Sequence, residues 1–380
     1  MKKLLKRFIA LESSSSIILF LATFTALVMA NSRYSGLYFQ LTEANQYFIN
    51  EGLMAIFFLL VGVQLKRGFV AGEMSRLSQI GLPLFAAAGG MLLPGLIYLL
   101  INSDDTHLIH GWATPVATDI AFAVGVLSLF GKRVPYSLNL FLLALAIFDD
   151  VGAIIIIALF YSSGLVFQFV FAAIFFIIIL GILNILSVRS LWLYLLMGLG
   201  LWFCMLKSGI HPTISGVITG LLIPHQHSSS SPLDRLEWMI NPWVSFLIMP
   251  LFAFANAGFS LAGLSKNLVT SGLVLGIVFG LFIGKQLGVF GFSWLLIRLG
   301  GGKLPSKTTW LELYGVSILC GIGFTMSLFL GTLSFHNENI YLTTMRLGVI
   351  AGSLLSGIVG ALVLHIAFTR NRQHRSSVLE

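Results

Sequence analysis

The sequence predicts an all-α integral membrane protein with twelve transmembrane helices. Of its 380 residues, 57% are hydrophobic and only 9% are charged, against roughly 25% charged residues in an average soluble domain. A water-soluble fold with this composition would have too few polar groups to cover its surface. Apolar runs of about 20 residues, the length that crosses a hydrocarbon core, recur along the whole chain. These observations together exclude an ordinary soluble enzyme.

Twelve apolar segments follow one another, separated by glycine, proline and short charged clusters. No long linker or soluble domain interrupts them, so we expect one polytopic domain over residues 1–380. The segments predicted to span the membrane are 14–31, 48–65, 82–101, 112–130, 136–161, 168–187, 191–206, 210–223, 240–260, 273–298, 313–335 and 345–368.

The distribution of lysine and arginine predicts the orientation, because inner loops carry an excess of these residues. With both termini in the cytoplasm, most of the 22 basic residues lie in inner loops. The first segment also resembles a cleavable signal peptide, but its removal would leave eleven spans and contradict the basic C-terminus. We therefore interpret it as the first transmembrane helix.

Composition predicts neither a nucleic-acid partner nor a cofactor. The net charge of +8 comes from basic residues scattered over the inner loops, where they act as topology signals. Cys204 and Cys320 both lie in apolar spans, which indicates neither a disulfide framework nor a metal site. No Walker or dinucleotide-binding pattern occurs.

Two of the predicted spans contain residues that interrupt a helix. The fourth contains Pro115 followed by Thr118 and Asp119, and the eleventh contains Gly321 and Gly323. Irregular backbone at membrane depth is tolerated only where it faces protein or a water-filled cavity, and such spans in corresponding positions of two halves indicate a transporter site. We therefore expect spans three to five and ten to twelve to form an inverted repeat around an ion site.

Four ionisable side chains fall well inside predicted spans: Asp119, Asp149, Asp150 and Lys285. Each costs at least about 2.5 kcal/mol at mid-bilayer on insertion scales, so a functional role is favoured. Neighbouring helical residues point roughly 100° apart, so one aspartate of the adjacent pair can bind Lys285 while the other faces a cavity.

Carboxylates with nearby hydroxyl and carbonyl oxygens are hard ligands of the kind that Na⁺ prefers. Protons compete for the same oxygens, so Asp149 and Asp150 predict exchange of sodium for protons. Two carboxylates against one monovalent cation permit electrogenic exchange. Asp119 follows Pro115 and Thr118, where it would either offset the dipoles of helix N-termini or contact the cation directly.

Three other classes fit parts of this pattern. An intramembrane aspartyl protease also needs two membrane aspartates, but its pair shares one proton across facing helices, and Asp149 and Asp150 are consecutive. A cation channel would show a repeated filter or an arginine-rich sensor helix. A sodium-driven carrier of organic anions would offer further basic residues beside Lys285. The sequence contains neither a repeated filter nor an arginine-rich sensor helix, and Lys285 has no further basic residue beside it in the core.

The sequence closely resembles the NhaA family of bacterial sodium/proton antiporters. The resemblance extends in order over nearly the whole chain, and the stretches that carry it are ATDIAFA at 117–123, LAIFDDVGAI at 145–154, LFAFANAG at 251–258, GK at 284–285 and CGIGFTM at 320–326. It implies a secondary active transporter of the inner membrane, not an enzyme, that exchanges cytoplasmic Na⁺ or Li⁺ for external H⁺ and supports sodium and pH homeostasis.

The resemblance also implies residue roles. Asp149 and Asp150 would bind Na⁺ and protons, with Asp150 the more direct cation ligand and Asp149 paired with Lys285. Thr118 and Asp119 would lie where the interrupted fourth and eleventh spans cross, with Asp119 and Lys285 balancing helix-end charges. A homodimer in the lipid bilayer is expected from the family.

This chain departs from the family at its cytoplasmic pH-sensing cluster. The family's Glu-x-Lys-Arg-Glu pattern at the end of the second span has lost both acids here, where Gln64 and Gly68 stand, although Glu237 is retained. We therefore expect weaker or shifted alkaline activation. His211 matches a histidine that the family associates with pH response, but a local hydrogen-bonding role is at least as plausible.

Overall fold

The computed structural model describes residues 14–70, 77–162, 164–225, 231–262, 265–335 and 339–376. These residues form helices and connecting segments without any strand, so the all-α prediction is confirmed. The α-helices are α1 Ser14–Ala30, α2 Ser35–Tyr47, α3 Met54–Val70, α4 Leu77–Ile101, α5 Thr106–Ile109, α6 Ile120–Ser128, α7 Tyr136–Phe160, α8 Phe167–Ile185, α9 Leu191–Ser208, α10 Thr213–Leu222, α11 Pro232–Trp243, α12 Met249–Ala257, α13 Lys266–Val269, α14 Gly272–Phe279, α15 Gly291–Arg298, α16 Trp310–Leu319, α17 Phe324–Ser334 and α18 Asn339–Ser376.

Eight helical runs in the described part of the chain are long and apolar enough to cross a membrane. A ninth is added if α16 and α17, which are bent by 42° at their junction, count as one span. The chain is therefore a multi-pass membrane protein. The first, fourth and eighth predicted spans fall on shorter helices, α1, α6 and α10, of 17, 9 and 10 residues. The count of twelve stays a prediction.

Several residues behind the orientation prediction are not covered by these ranges. Lys2, Lys3, Lys6, Arg7 and Arg76 lie outside the described residues. The direction of the termini therefore also stays a prediction.

One helical run is much longer than the span predicted for it. Helix α2, a π-helical segment Phe48–Leu53 and helix α3 form a continuous 36-residue run, Ser35–Val70. The predicted span began only at residue 48, because the segment before it has a mixed polar composition. The apolar pattern therefore identified the part of the helix suited to lipid and not the whole helix.

Helix ends follow local signals in the sequence. Helix α16 begins with a capping box in which the Thr309 side chain accepts the Glu312 amide and the Glu312 carboxylate accepts the Thr309 amide at 2.7 Å. This reciprocal pairing satisfies two amides that have no partner within the helix. Helix α9 ends at Gly209, whose φ of 85° lies in the left-handed region that glycine adopts without a Cβ clash.

The chain packs as two compact units, and each is discontinuous in sequence. The first comprises Met1–Tyr34, Leu77–Ala153 and Asn256–Glu380, and the second comprises Ser35–Arg76 and Ile154–Ala255. Both triplets of the predicted inverted repeat belong to the first unit except for residues 154–161 of the fifth span, which belong to the second. Asp119, Asp149, Asp150 and Lys285 all lie in the first unit. The repeat and the single domain over residues 1–380 stay predictions.

In the first unit, α4 packs along the helical run from α14 to α15, and α14 and α16 pack against α18. The closest approach pairs Gly288 with Gly89, because a Cβ atom at Gly288 would meet the Gly89 carbonyl oxygen. Small residues at a contact let two membrane helices approach this closely. This packing fixes the position of Lys285, which lies three residues before Gly288.

In the second unit, α10 packs on α3, α8 on α9, and α11 on α3. The first of these contacts again depends on glycine, since a Cβ atom at Gly62 would lie 2.5 Å from the Val217 carbonyl oxygen. The Asn184 side chain donates to the Leu222 carbonyl at 2.7 Å and fixes the end of α10 against α8.

Candidate functional site

The centre of the first unit contains a buried ion pair. Lys285 Nζ donates to Asp149 Oδ2 at 2.6 Å, and both side chains are fully buried. Asp149 lies on α7, and the adjacent Asp150 is 2% exposed. The structure thus brings Lys285 and Asp149 into direct contact and leaves Asp150 beside them. An unpaired ammonium or carboxylate at this depth would be very unfavourable, so each charge stabilises the other.

Lys285 lies between two π-helical segments, Gly280–Gly284 and Gln286–Phe290. Such segments occur mostly as local bulges in α-helices and are frequent at functional sites. Each one widens the helix and changes the direction of the side chains that follow. The sequence contains no signal for these segments beyond the nearby glycines Gly284 and Gly288.

Thr118 connects the ion pair to the non-helical segment that follows α16. Its hydroxyl lies 2.6 Å from Asp149 Oδ2 and 2.9 Å from the Cys320 carbonyl oxygen. Thr118 belongs to the three non-helical residues before α6, and Cys320 follows the last residue of α16. The same two segments meet again where the Asp119 amide donates to the Ile322 carbonyl at 2.7 Å.

Asp119 joins the N-termini of two helices. It is the N-cap of α6 and accepts the Phe122 amide at 3.1 Å through Oδ1. Its Oδ2 accepts the Thr325 amide at 3.0 Å and the Thr325 hydroxyl, near the start of α17. A carboxylate there offsets the positive partial charge of both helix ends. This geometry fits the electrostatic alternative for Asp119 better than direct cation contact.

Two carboxylate oxygens of the site remain available. Among the described residues, Asp149 Oδ1 and Asp150 Oδ1 are buried and have no hydrogen-bond partner. Such atoms are costly to bury unless a cation or a proton satisfies them. Within the same ranges, no group of three or more His, Cys, Asp and Glu side chains is arranged to hold a resident metal ion. Each of these two oxygens can accept a proton or contact a cation.

The residues predicted for pH response lie in the second unit. Arg67 Nη1 and Glu237 Oε2 form an ion pair at 2.7 Å that links α3 to α11. Gln64, which stands where the family has an acid, also hydrogen-bonds to Glu237. The Gln64 amide can donate a hydrogen bond to the Glu237 carboxylate, whereas a second carboxylate at position 64 would repel it.

His211 has two contacts of different kinds. Its Nδ1 lies 2.7 Å from Thr213 Oγ1, which is a local hydrogen bond at the start of α10. Its Nε2 lies 3.5 Å from Glu51 Oε2. Glu51 belongs to the π-helical segment Phe48–Leu53, and its carbonyl accepts the Trp202 indole at 3.0 Å. The local role and the role in pH response both remain compatible with this geometry.

Three contacts of these sites are not predicted from the sequence. They are the contacts of Thr325, of the Cys320 carbonyl and of Glu51. Thr325 and Cys320 lie in the CGIGFTM stretch that carries the family resemblance, but the sequence assigns neither residue a role in the ion site. The signal available for Thr325 is a hydroxyl two residues after Gly323, near the start of a helix. Glu51 lies near the start of the predicted second span, where it could be taken for an interfacial residue.

Comparison with known proteins agrees with the motifs. A family model described as Na⁺/H⁺ antiporter 1 matches residues 6–364. A protein of Paramagnetospirillum magneticum named Na(+)/H(+) antiporter NhaA is 49% identical over 363 residues, which cover 94% of this chain and 95% of the relative. Proteins with the same name from Rhodospirillum rubrum and Yersinia enterocolitica are 48% and 47% identical, over 95% and 98% of this chain and 96% and 99% of the relatives. The predicted resemblance is confirmed, and the chain belongs to the Na⁺/H⁺ antiporter 1 family, the NhaA-type antiporters.

Proposed function

We propose that this chain is a secondary active transporter that exchanges cytoplasmic Na⁺ for external H⁺ across the bacterial inner membrane. The observation that supports this most strongly is the buried group of Lys285, Asp149 and Asp150, with two carboxylate oxygens that lack a partner. The relatives of this chain carry the name Na(+)/H(+) antiporter. Li⁺ is a second substrate in this proposal, because it is a smaller cation of the same charge with the same preference for oxygen ligands.

Exchange follows from competition for the same oxygens. Deprotonated carboxylates of Asp149 and Asp150 bind Na⁺, and protonated carboxylates cannot. If the empty charged site does not cross the membrane, each passage carries either the cation or protons, which is the condition for coupled exchange. With two carboxylates and one monovalent cation, more than one proton can return per Na⁺, so the exchange is electrogenic in this proposal.

Lys285 and Asp119 have supporting roles in this mechanism. Lys285 holds Asp149 by charge at 2.6 Å and keeps the net charge of the site low when no cation is bound. Asp119 stabilises the N-termini of α6 and α17, so that the non-helical segments bearing Thr118 and Cys320 stay together. We propose that these segments are the interruptions of the fourth and eleventh of twelve transmembrane spans, within an inverted repeat.

The same proposal includes the surroundings of the site. The chain lies in the bilayer with both termini in the cytoplasm and associates as a homodimer, as the family resemblance implies. The loss of two acids at Gln64 and Gly68 weakens alkaline activation, while Glu237 and His211 keep a part in the pH response. An aspartyl protease is disfavoured, because the direct partner of Asp149 is an ammonium group and not a second carboxyl group.

The decisive experiment is Na⁺-induced proton flux in proteoliposomes at several pH values. Native protein is compared with Asp150→Asn, Lys285→Ala and the matched control Asp104→Asn, which neutralises an exposed aspartate 46 positions before Asp150. We expect flux to be abolished by Asp150→Asn, reduced by Lys285→Ala and unchanged in the control. Native-like flux in Asp150→Asn would refute the carboxylate assignment. Absence of flux from folded native protein at every pH would refute exchange itself.

A further inference from the structure

We propose that the backbone carbonyl of Cys320 is a ligand for the transported cation. This inference rests on the proposed function and adds a neutral, non-titrating oxygen to the two aspartates. The carbonyl is fully buried, with its residue 0% exposed. It lies at the C-terminus of α16, next to the Thr118 hydroxyl.

The backbone bonds around Cys320 explain why its carbonyl is available. In a continuous helix the amide of Phe324 would bond the carbonyl of Cys320. Here the Phe324 amide donates to Ser353 Oγ at 3.1 Å, and the next amide, of Thr325, donates to Asp119. The donor that a helix would give to Cys320 is thus diverted to a side chain. Within the described residues, the hydrogen bond to the Cys320 carbonyl comes from the Thr118 hydroxyl.

That hydroxyl has one proton and two acceptors. Thr118 Oγ1 lies 2.6 Å from Asp149 Oδ2 and 2.9 Å from Cys320 O, and a threonine hydroxyl donates only once. When Thr118 donates to Asp149, the Cys320 carbonyl has no donor. A buried polar group without a partner is unfavourable, and a bound cation would supply the missing partner.

The electrostatics of the position also favour a cation. The C-terminal carbonyls of a helix carry a negative partial charge, and Cys320 caps the C-terminus of α16. In discontinuous transporter helices, unwound carbonyls and half-helix C-termini coordinate Na⁺. Here the carbonyl, the Thr118 hydroxyl and Asp149 lie within hydrogen-bonding distance along one chain of contacts. Three kinds of oxygen atom therefore lie close together, and the carbonyl and the hydroxyl among them add no charge to the site.

The two cysteines of the chain make this carbonyl accessible to spectroscopy. In Cys204→Ala, cysteine labelled with ¹³C at the carbonyl carbon reports on Cys320 alone, and in Cys320→Ala it reports on Cys204 in α9. Infrared difference spectra would be recorded at fixed pH and ionic strength with Na⁺ against K⁺. We expect a Na⁺-dependent shift of the Cys320 band that half-saturates at the Na⁺ concentration that half-saturates exchange. The Cys204 band should not move.

A Thr118 variant separates direct from indirect effects. In Thr118→Val the labelled carbonyl has lost its hydroxyl donor, so Na⁺ binding should lower its stretching frequency more than in the native background. If Na⁺ acted only by turning the Thr118 hydroxyl, the band of this variant would stay fixed, and the inference would be wrong. Thr118→Ser keeps the hydroxyl, so its Cys320 band should shift with Na⁺ in the same direction as the native band.

A second measurement needs no Thr118 variant. Solid-state NMR of Li⁺-loaded, single-label protein in liposomes should detect a direct ⁷Li–¹³C dipolar coupling at Cys320 and none at Cys204. Active exchange with neither coupling nor infrared shift at Cys320 overturns the carbonyl ligand and leaves the antiporter function intact. Loss of exchange in the native protein would instead refute the proposed function.

Discussion

Two ion pairs of nearly equal length occupy very different surroundings in this molecule. Lys285 and Asp149 lie 2.6 Å apart with both side chains 0% exposed, whereas Arg67 and Glu237 lie 2.7 Å apart with side chains 48% and 11% exposed. The first pair is surrounded by protein at the centre of the first unit. The second joins two helices of the second unit, and its guanidinium is about half exposed.

The contact distance therefore says little about the energetic consequence of breaking an ion pair. In the buried pair, removing one partner leaves an uncompensated buried charge, which typically costs about 3–5 kcal/mol. In the partly exposed pair, solvent replaces the lost partner, and typical contributions are below about 1 kcal/mol. In the proposed function, a cation or a proton would take the place of the lost partner at the buried pair.

The largest effect is expected from Lys285→Met. This change keeps the length of the side chain but leaves Asp149 without its counter-charge, so the free energy of unfolding should fall by about 3–5 kcal/mol. Thermal unfolding in detergent, followed by tryptophan fluorescence, would measure it. The double variant Lys285→Met with Asp149→Asn should recover part of the loss. Equal stability of native protein and Lys285→Met would contradict a charged, buried pair.

Asp119→Asn should have an intermediate effect. The carboxylate accepts bonds from Phe122 and Thr325 through both of its oxygens, whereas an asparagine offers one acceptor and turns its amide toward a donor. We expect a loss of about 1–3 kcal/mol, with slower but persistent exchange. Thr325→Val, which removes a single contact, should cost less. A variant without any Na⁺-dependent flux, although folded, would indicate instead that Asp119 binds the cation.

Restoring the two acids of the family pattern tests how the surroundings of the Arg67–Glu237 pair affect the pH dependence of exchange. Gln64→Glu with Gly68→Glu adds two acids near Arg67 and Glu237, and their mutual repulsion should depend on pH. We expect the rate of exchange in proteoliposomes to become more strongly activated by alkaline pH than in the native protein. The single variant Gly68→Gln serves as the matched neutral control. A native profile as steep as that of typical family members would disprove the predicted weakening.

The smallest effect is expected from Arg67→Met. The guanidinium is about half exposed, so breaking this pair should lower the free energy of unfolding by less than about 1 kcal/mol, and added salt should reduce the difference further. Chemical denaturation at low and high ionic strength would measure it. Glu237→Gln is the matched change on the other partner. A loss as large as that of Lys285→Met would remove the contrast between the two pairs.

Much of the fold could be predicted because the bilayer imposes a strong pattern. Runs of apolar residues had to match the hydrocarbon thickness, so the predicted spans fall on helices or short helix pairs. The π-helical segments around Lys285 were not predicted, because a bulge changes the helix by one residue and leaves the apolar pattern intact. Helix α2 was missed for the opposite reason, since its composition is too polar to resemble a span.

The charged part of the site was predictable from depth alone, whereas its hydrogen bonds were not. Asp149 and Lys285 stand out because few charges lie inside apolar spans. The contact between Asp119 and Thr325 joins residues 206 positions apart and depends on how two non-helical segments meet. No periodicity encodes that meeting. The pair of His211 and Glu51 was missed similarly, because the acid lies in a helix that the sequence placed near the lipid boundary.

The 36-residue run Ser35–Val70 has a practical consequence for imaging this protein. At 1.5 Å per residue it is roughly 54 Å long, while the hydrocarbon core is roughly 30 Å thick and helix tilts rarely exceed about 40°. The run is therefore longer than the acyl-chain region, and we expect its more polar part, α2, to extend beyond that region. Gln40 and Glu43 are exposed on that end and offer attachment points for a rigid fiducial module in electron cryomicroscopy, remote in sequence from the aspartate pair.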